Sequence, residues 1–73
     1  MKIFTNGNSW DKRPIKIIIS KGYVEFYFTT QTNLLYWFGV EEWDKMRNHI
    51  SQKSWFTVEM DEYINSKIHN PAI

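Results

Sequence analysis

The most regular pattern in the chain is an alternation of side chains on both sides of the dipeptide Lys21-Gly22. Two stretches, Ile15–Ser20 and Tyr23–Thr29, are rich in β-branched and aromatic residues, and the two-residue loop between them predicts a β-hairpin. Such a loop sets the register, and one face then collects three apolar pairs: Ile19 with Val24, Ile17 with Phe26, and Ile15 with Phe28. The opposite face collects mixed pairs: Lys16 with Tyr27, Ile18 with Glu25, and Ser20 with Tyr23.

A third strand is predicted at Leu34–Phe38, which is aromatic and follows the polar, turn-like segment Thr30–Asn33. If those four residues form the loop, Leu35 and Trp37 join the apolar face of the hairpin. The opposite face then carries aromatic and acidic side chains: Tyr36 and Phe38 beside Tyr27 and Glu25.

The N-terminal segment predicts a second tight hairpin. Asn6-Gly7 is typical of a type I′ turn, and it separates Lys2–Thr5 from Asn8–Asp11. The register would place two suitable pairs across the strands: Ile3 with Trp10 and Lys2 with Asp11. Arg13-Pro14 then ends the ladder, because proline has no N–H to donate.

From Val40 onward the period becomes helical. Gly39 is the expected entry point, and one side of the first helix carries Val40, Trp43, Met46, Arg47 and Ile50. Thr57 is the expected N-cap of a second helix, which Pro71 ends. One side of that helix carries Met60, Tyr63, Ile64, Lys67 and Ile68. An alternative reading makes Trp55–Met60 a further strand. The whole pattern predicts an α+β fold, with a small antiparallel β-meander of three to five strands followed by two C-terminal helices.

Length and composition narrow the class of protein. The chain has 73 residues and is expected to form a single compact domain over residues 1–73. It contains no cysteine, which excludes disulfides and thiolate metal clusters, and 18% of its residues are aromatic. The longest apolar run, Leu34–Phe38, is too short for a membrane span or a signal-peptide core, so we expect a cytoplasmic protein without a membrane partner.

The net charge of +1 conceals a gradient along the chain. Residues 1–38 carry five basic and two acidic side chains, whereas residues 39–73 carry four basic and six acidic ones. A positive N-terminal part can steer an anionic partner, although the same distribution is also typical of an ordinary solvated surface.

Catalytic chemistry is poorly supported by the sequence. The chain has no glycine-rich phosphate loop, no nucleophile motif and no metal-binding motif. His49 and His69 are twenty positions apart, and each lies near the end of a predicted helix. The acidic residues cluster where the helices begin, as the helix dipole favours. We therefore expect no enzyme, no cofactor and no metal.

A binding surface is the better-supported function, because the predicted core leaves several aromatic side chains over. These side chains, with Ile18 beside them and a basic rim around them, form the candidate interface: Tyr23, Tyr27, Tyr36, Phe38, Trp10, Lys12, Arg13, Lys16 and Lys21. An alternative reading has one helix covering each face of the sheet, which would bury both sets of aromatics. Dimerisation through the same patch would also account for them.

The sequence thus predicts a small non-enzymatic macromolecule-binding protein whose first expected partner is a protein. A chain rich in Ile, Lys and Asn suggests an AT-rich genome, and we expect a phage or mobile-element encoded inhibitor or modulator of a host factor, acting in the host cytoplasm. The alternative is a single-stranded nucleic-acid-binding protein that stacks bases on the tyrosines and uses the basic rim for phosphates. The low net charge and Glu25 in the middle of the patch count against that alternative.

Overall fold

The structure, a computed structural model, describes residues 1–29 and 34–69. Four antiparallel strands form one sheet in the order β1-β2-β3-β4. Their bounds are β1 Lys2–Phe4, β2 Ile15–Ser20, β3 Tyr23–Phe28 and β4 Leu34–Gly39. A 3₁₀ turn at Val40–Glu42 leads into helix α1 (Trp43–Ile50), and helix α2 (Val58–His69) follows. The predicted α+β fold, a β-meander followed by two helices, is confirmed. The predicted turn at Thr30–Asn33 and the helix end at Pro71 lie outside the described residues.

The β2–β3 hairpin has the predicted register at all six pairs, from Ser20 opposite Tyr23 to Ile15 opposite Phe28. Lys21 has φ 50° and Gly22 has φ 87°, which are the two positive values that a type I′ turn requires. Because this turn has the same twist as the strands, two residues suffice to fix which side chains face the core.

Strand β4 lies next to β3 in a different register from the one predicted. Val24 faces Phe38 and Phe26 faces Tyr36, so Tyr36 and Phe38 lie on the apolar side and Trp37 lies on the other. The pairing shifts between Phe26 and Tyr27, which faces Leu34. One extra residue in β4 is accommodated there, and an insertion of one residue exchanges the two faces of the strand.

The predicted N-terminal hairpin is wrong. Strand β1 pairs with β2, and Ile3 lies opposite Lys16 rather than Trp10. Asn6 and Gly7 do not have positive φ. Instead Gly7 N–H donates to Trp55 O at 3.1 Å. A Cβ on Gly7 would come within 3.0 Å of Ser54 O, so this glycine permits a close backbone approach.

The two helices begin as the sequence predicts. The 3₁₀ turn starts directly after Gly39, and Thr57 Oγ1 accepts a hydrogen bond from Met60 N–H at 3.3 Å at the start of α2. The alternative strand at Trp55–Met60 is wrong, since α2 begins at Val58. No helix among residues 1–29 and 34–69 is long and apolar enough to cross a membrane.

Both helices pack against the same face of the sheet. The buried residues form one cluster that joins side chains of the strands to side chains of the helices: Phe4, Ile15, Ile17, Val24, Phe26, Phe38, Trp43, Ile50, Met60 and Ile64. The rings of Phe38 and Trp43 are stacked with centroids 5.8 Å apart, and Trp43 Nε1–H donates to Asn65 Oδ1 at 3.2 Å. These contacts tie α1 to β4 and to α2.

Candidate functional site

The side of the sheet that faces away from the helices is the candidate site. We call it the outer face, and it is defined by Ile3, Lys16, Ile18, Tyr23, Glu25, Tyr27 and Trp37, which the strand registers place on one side. Three of these side chains are about half exposed: Ile3 at 53%, Tyr23 at 49% and Trp37 at 54%. The others are half-buried by their neighbours in the sheet.

The alternative in which each helix covers one face of the sheet is not what the structure has. The buried residues of α1 and α2 all belong to the core on the opposite side, where Ile15, Ile17, Val24 and Phe26 are completely buried. The outer face therefore carries large apolar side chains that the described helices do not cover. Exposed aromatic side chains on a flat, ordered surface are typical of protein interfaces.

The polar groups of the outer face are largely satisfied by one another. Tyr27 Oη donates to Glu25 Oε2 at 3.3 Å, and Lys16 Nζ lies 5.1 Å from the centre of the Tyr27 ring. Burial, followed by the nearby charge of Glu25, raises the pKa of Tyr27, so its hydroxyl stays protonated at neutral pH. Lys16 and Glu25 leave the middle of the surface without net charge.

A further acidic side chain borders the outer face where β4 ends. Gly39 lies opposite Tyr23. A Cβ built on Gly39 would lie 3.0 Å from Glu41 Oε1. This carboxylate therefore lies at the end of the outer face where Tyr23 is. The aromatic part of the face also packs internally, since the rings of Tyr23 and Trp37 meet edge to face with centroids 5.6 Å apart.

Two of the predicted interface residues, Tyr36 and Phe38, lie on the core side. Phe38 is only 3% exposed. Tyr36 is half-buried, and its ring packs near Phe26, Phe38, His49 and Trp55. Burial, and then the charge of Glu42, raises the pKa of the Tyr36 hydroxyl. Tyr36 and Phe38 pack against the core because the extra residue in β4 turns their side chains to the opposite face of the sheet from the one predicted.

The predicted residues Trp10, Lys12 and Arg13 lie on the segment that connects β1 to β2. The hydrogen bonds and ring contacts of Trp10 and Arg13 are made with Asn8, Asp11 and Phe28, none of which belongs to the outer face. Trp10 is 93% exposed. The backbone N–H of Trp10 donates to Asn8 Oδ1 at 2.9 Å. Arg13 donates to Asp11 at 2.9 Å and stacks on Phe28 at 3.8 Å. Lys12 is exposed, and so is Lys21 in the β2–β3 turn.

The structure therefore keeps Tyr23, Tyr27 and Lys16 of the predicted interface together and adds Ile3 and Trp37 to them. Neither addition had a local signal, because Trp37 depends on the irregular pairing and Ile3 depends on the pairing of β1 with β2. Ile18, which the sequence already places beside the tyrosines, lies in the middle of this surface.

A second candidate site is a cleft of about 280 Å³ between the two helices. Arg47 and Asp61 line the cleft and pair with each other through two hydrogen bonds, Nε to Oδ1 at 2.9 Å and Nη2 to Oδ2 at 2.7 Å. The guanidinium is thus already engaged by a carboxylate. No cluster of three or more His, Cys, Asp or Glu side chains within residues 1–29 and 34–69 has the arrangement of a metal site.

Comparison of the chain with known protein families, with curated proteins and with solved structures finds no match in any of the three.

Proposed function

We propose that the chain is a small protein-binding module whose outer face docks on an apolar surface of a partner protein. The observation that carries the proposal is a sheet face that has no helix over it and holds Ile3, Tyr23 and Trp37 about half exposed. Removing large apolar side chains from water is the main driving force of protein association, at roughly 25 cal/mol per Å². Aromatic residues in the centre of an interface contribute most to its affinity.

A protein partner suits the charge pattern better than a nucleic acid does. The outer face carries both Lys16 and Glu25, and the Glu41 carboxylate lies over Gly39, which is opposite Tyr23. Affinity for single strands depends on several cations that neutralise phosphates, and acidic groups beside the stacking rings oppose it. Lys12 and Arg13, which were expected to serve this purpose, lie on the β1–β2 connection, and Arg13 is paired with Asp11.

The outer face is also preorganised. Tyr23 and Tyr27 belong to a strand that pairs with a neighbour on each side, and their side chains contact Trp37 and Glu25. Binding through such a surface costs little ordering entropy. The size and composition of the chain further suggest a host factor as the partner, with the chain inhibiting or modulating it as a phage or mobile-element product.

The proposal is tested by affinity capture with the purified chain and two variants. Ile3→Ser/Tyr23→Ser removes apolar surface from the outer face, and Val58→Ser removes an exposed apolar side chain from α2 as a matched control, since Val58 is 69% exposed. We expect a protein that the wild type and Val58→Ser retain and that the double variant loses, and direct titration of that protein should give the same ranking.

Two results would contradict the proposal. One is equal retention of every captured protein by the double variant and the wild type. The other is salt-sensitive binding of a labelled oligothymidine that Tyr23→Ser abolishes, which would favour the nucleic-acid function instead. Circular dichroism of each variant establishes that it is folded before binding is compared.

A further inference from the structure

Strand β4 forms one edge of the sheet, and its composition is unusual for an edge. Its six residues, Leu34–Gly39, include no charged side chain and no proline. Natural proteins normally protect a sheet edge with lysine, proline, a very short strand or a bulge. The irregular pairing in β4 lies before Tyr36, so the edge from Tyr36 to Gly39 is regular. The other edge follows that rule, since β1 has three residues and includes Lys2. The contrast identifies β4 as an edge that is suited to pairing with another strand.

The register determines which backbone groups of β4 point away from the sheet. Around a two-residue turn, Ser20 and Tyr23 form a hydrogen-bonded pair. Along β3, alternate residues then direct their N–H and C=O to β2, and the residues between them direct theirs to β4. Val24 and Phe26 direct these groups to β4, and the N–H and C=O of their partners Phe38 and Tyr36 point towards β3.

It follows that the N–H and C=O of Trp37, which lies between Phe38 and Tyr36, point out of the sheet at the free edge. No hydrogen bond among the described residues reaches these two groups. The hydrogen bond from Val40 N–H to Gly22 O, at 2.8 Å, agrees with this assignment. Gly22 and Val40 each lie two positions from the bonded pair Val24 and Phe38, so they belong to the same alternating set. Leu34 and Trp37 on this strand are 42% and 54% exposed.

We propose that two copies of the chain pair along β4 about a two-fold axis, which makes one continuous eight-stranded sheet. A two-fold axis makes the two β4 strands antiparallel, and the same surface is used twice, so the contact closes at a dimer. The pairing centres on Trp37, whose N–H and C=O bond the same groups of the second copy. Because β4 carries no charge, the pairing brings no like charges together on the two strands.

A second copy fits this edge better than an unrelated peptide does, because self-pairing also joins the two outer faces. The Trp37 rings meet across the axis, each already in contact with its own Tyr23. The aromatic surface becomes continuous across both copies and stays accessible to a further partner. This inference goes beyond the proposed function and does not depend on it, since edge pairing uses main-chain groups and leaves Ile3 and Tyr23 exposed.

The test is the molar mass of the full chain by size-exclusion chromatography with light scattering over a wide concentration range. We expect a shift from the chain mass of 8.9 kDa to twice that value as the concentration rises. Trp37→Lys puts a charge on the edge and should abolish the shift. Tyr23→Lys puts the same charge on the outer face but on an inner strand, and it should leave the shift in place.

Amide hydrogen exchange of the unmodified chain gives a second measurement that needs no variant. The Trp37 amide should exchange about tenfold more slowly, or slower still, at dimer-forming concentrations than in dilute solution, as expected for an amide shielded within a ladder. The Tyr36 amide, which is bonded within the sheet, should change little.

Three results would overturn the inference: a mass of one chain at every concentration, a mass above two chains, or a dimer that Tyr23→Lys disrupts while Trp37→Lys does not. The last result would assign the dimer to the outer face. None of these mass measurements bears on the capture of a foreign protein, so failure of this inference and failure of the proposed function can be told apart.

Discussion

Two neighbouring residues of β4 give a direct test of which face of the sheet is buried. Phe38 is 3% exposed and its ring lies 5.8 Å from Trp43 and 6.1 Å from Phe26. Truncating a buried phenylalanine to alanine costs about 3–5 kcal/mol. Trp37 is 54% exposed, and its main described ring contact is with Tyr23. An aromatic pair of this kind contributes roughly 0.5–1.5 kcal/mol beyond the area that it buries, and the buried half of the side chain adds about 1 kcal/mol.

We therefore expect Phe38→Ala to destabilise the fold about twice as much as Trp37→Ala, even though Trp37→Ala removes the larger side chain. A chain of 73 residues has a free energy of unfolding of about 4–11 kcal/mol at the usual value per residue, so Phe38→Ala removes a large share of it. With a urea dependence of roughly 1 kcal/mol per molar, the midpoint falls by about 3 M or more for Phe38→Ala and by about 2 M for Trp37→Ala.

The assay is urea unfolding followed by far-ultraviolet circular dichroism, at a concentration where light scattering gives the mass of one chain. If Phe38→Ala is already partly unfolded without urea, the ranking is still read from the fraction folded. A larger loss for Trp37→Ala than for Phe38→Ala would refute the reasoning, because it is the result that the register predicted from the sequence would give.

Three further predictions concern the turns, the cap and the ion pair. Gly7→Ala should cost about 1–3 kcal/mol in urea unfolding, because a Cβ there would clash with Ser54 O. Gly22→Asn should cost little in the same assay, because no atom lies within 4 Å of a Cβ there and asparagine tolerates positive φ. Thr57→Ala should cost about 1 kcal/mol of stability through the lost N-cap, and Thr57→Ser should restore most of it; equal losses for both would contradict the capping role. Asp11 accepts hydrogen bonds from the side chain and then from the backbone N–H of Arg13, and these bonds lower its pKa from 3.8 to about 2. The pair therefore stabilises the fold above pH 3.8, and that contribution is lost as the pH falls towards 2. Asp11→Asn should accordingly show a smaller drop in thermal midpoint over that acidic range, and an unchanged acid dependence would contradict the assignment.

The parts of the fold that the sequence predicted are those that local chemistry determines. Lys21-Gly22 supplies both positive φ angles of its turn, and the alternation on each side agrees with the two-residue loop, so every pair of the β2–β3 hairpin was predicted. The helices were predictable from their period and from the cap at Thr57. In each case the signal lies within a few residues of the element.

The parts that were wrong depend on contacts between distant segments. Asn6-Gly7 has the composition of a hairpin turn, yet Gly7 is needed for the approach of the chain to Ser54 and Trp55, nearly fifty positions away. The faces of β4 depend on one extra residue opposite Phe26 and Tyr27, which no local pattern announces. As a result the candidate surface kept Tyr23 and Tyr27, lost Tyr36 and Phe38, and gained Trp37.

The proposed function requires that the outer face of the sheet is uncovered and available to a partner. Nuclear magnetic resonance with a soluble paramagnetic agent, on the chain at a monomeric concentration, measures this directly for each side chain. We expect strong relaxation of the Ile3 methyl groups and of the Tyr23 and Trp37 ring protons, with little effect on Phe26 and Phe38. Protected Tyr23 and Trp37 rings in the monomer would contradict it.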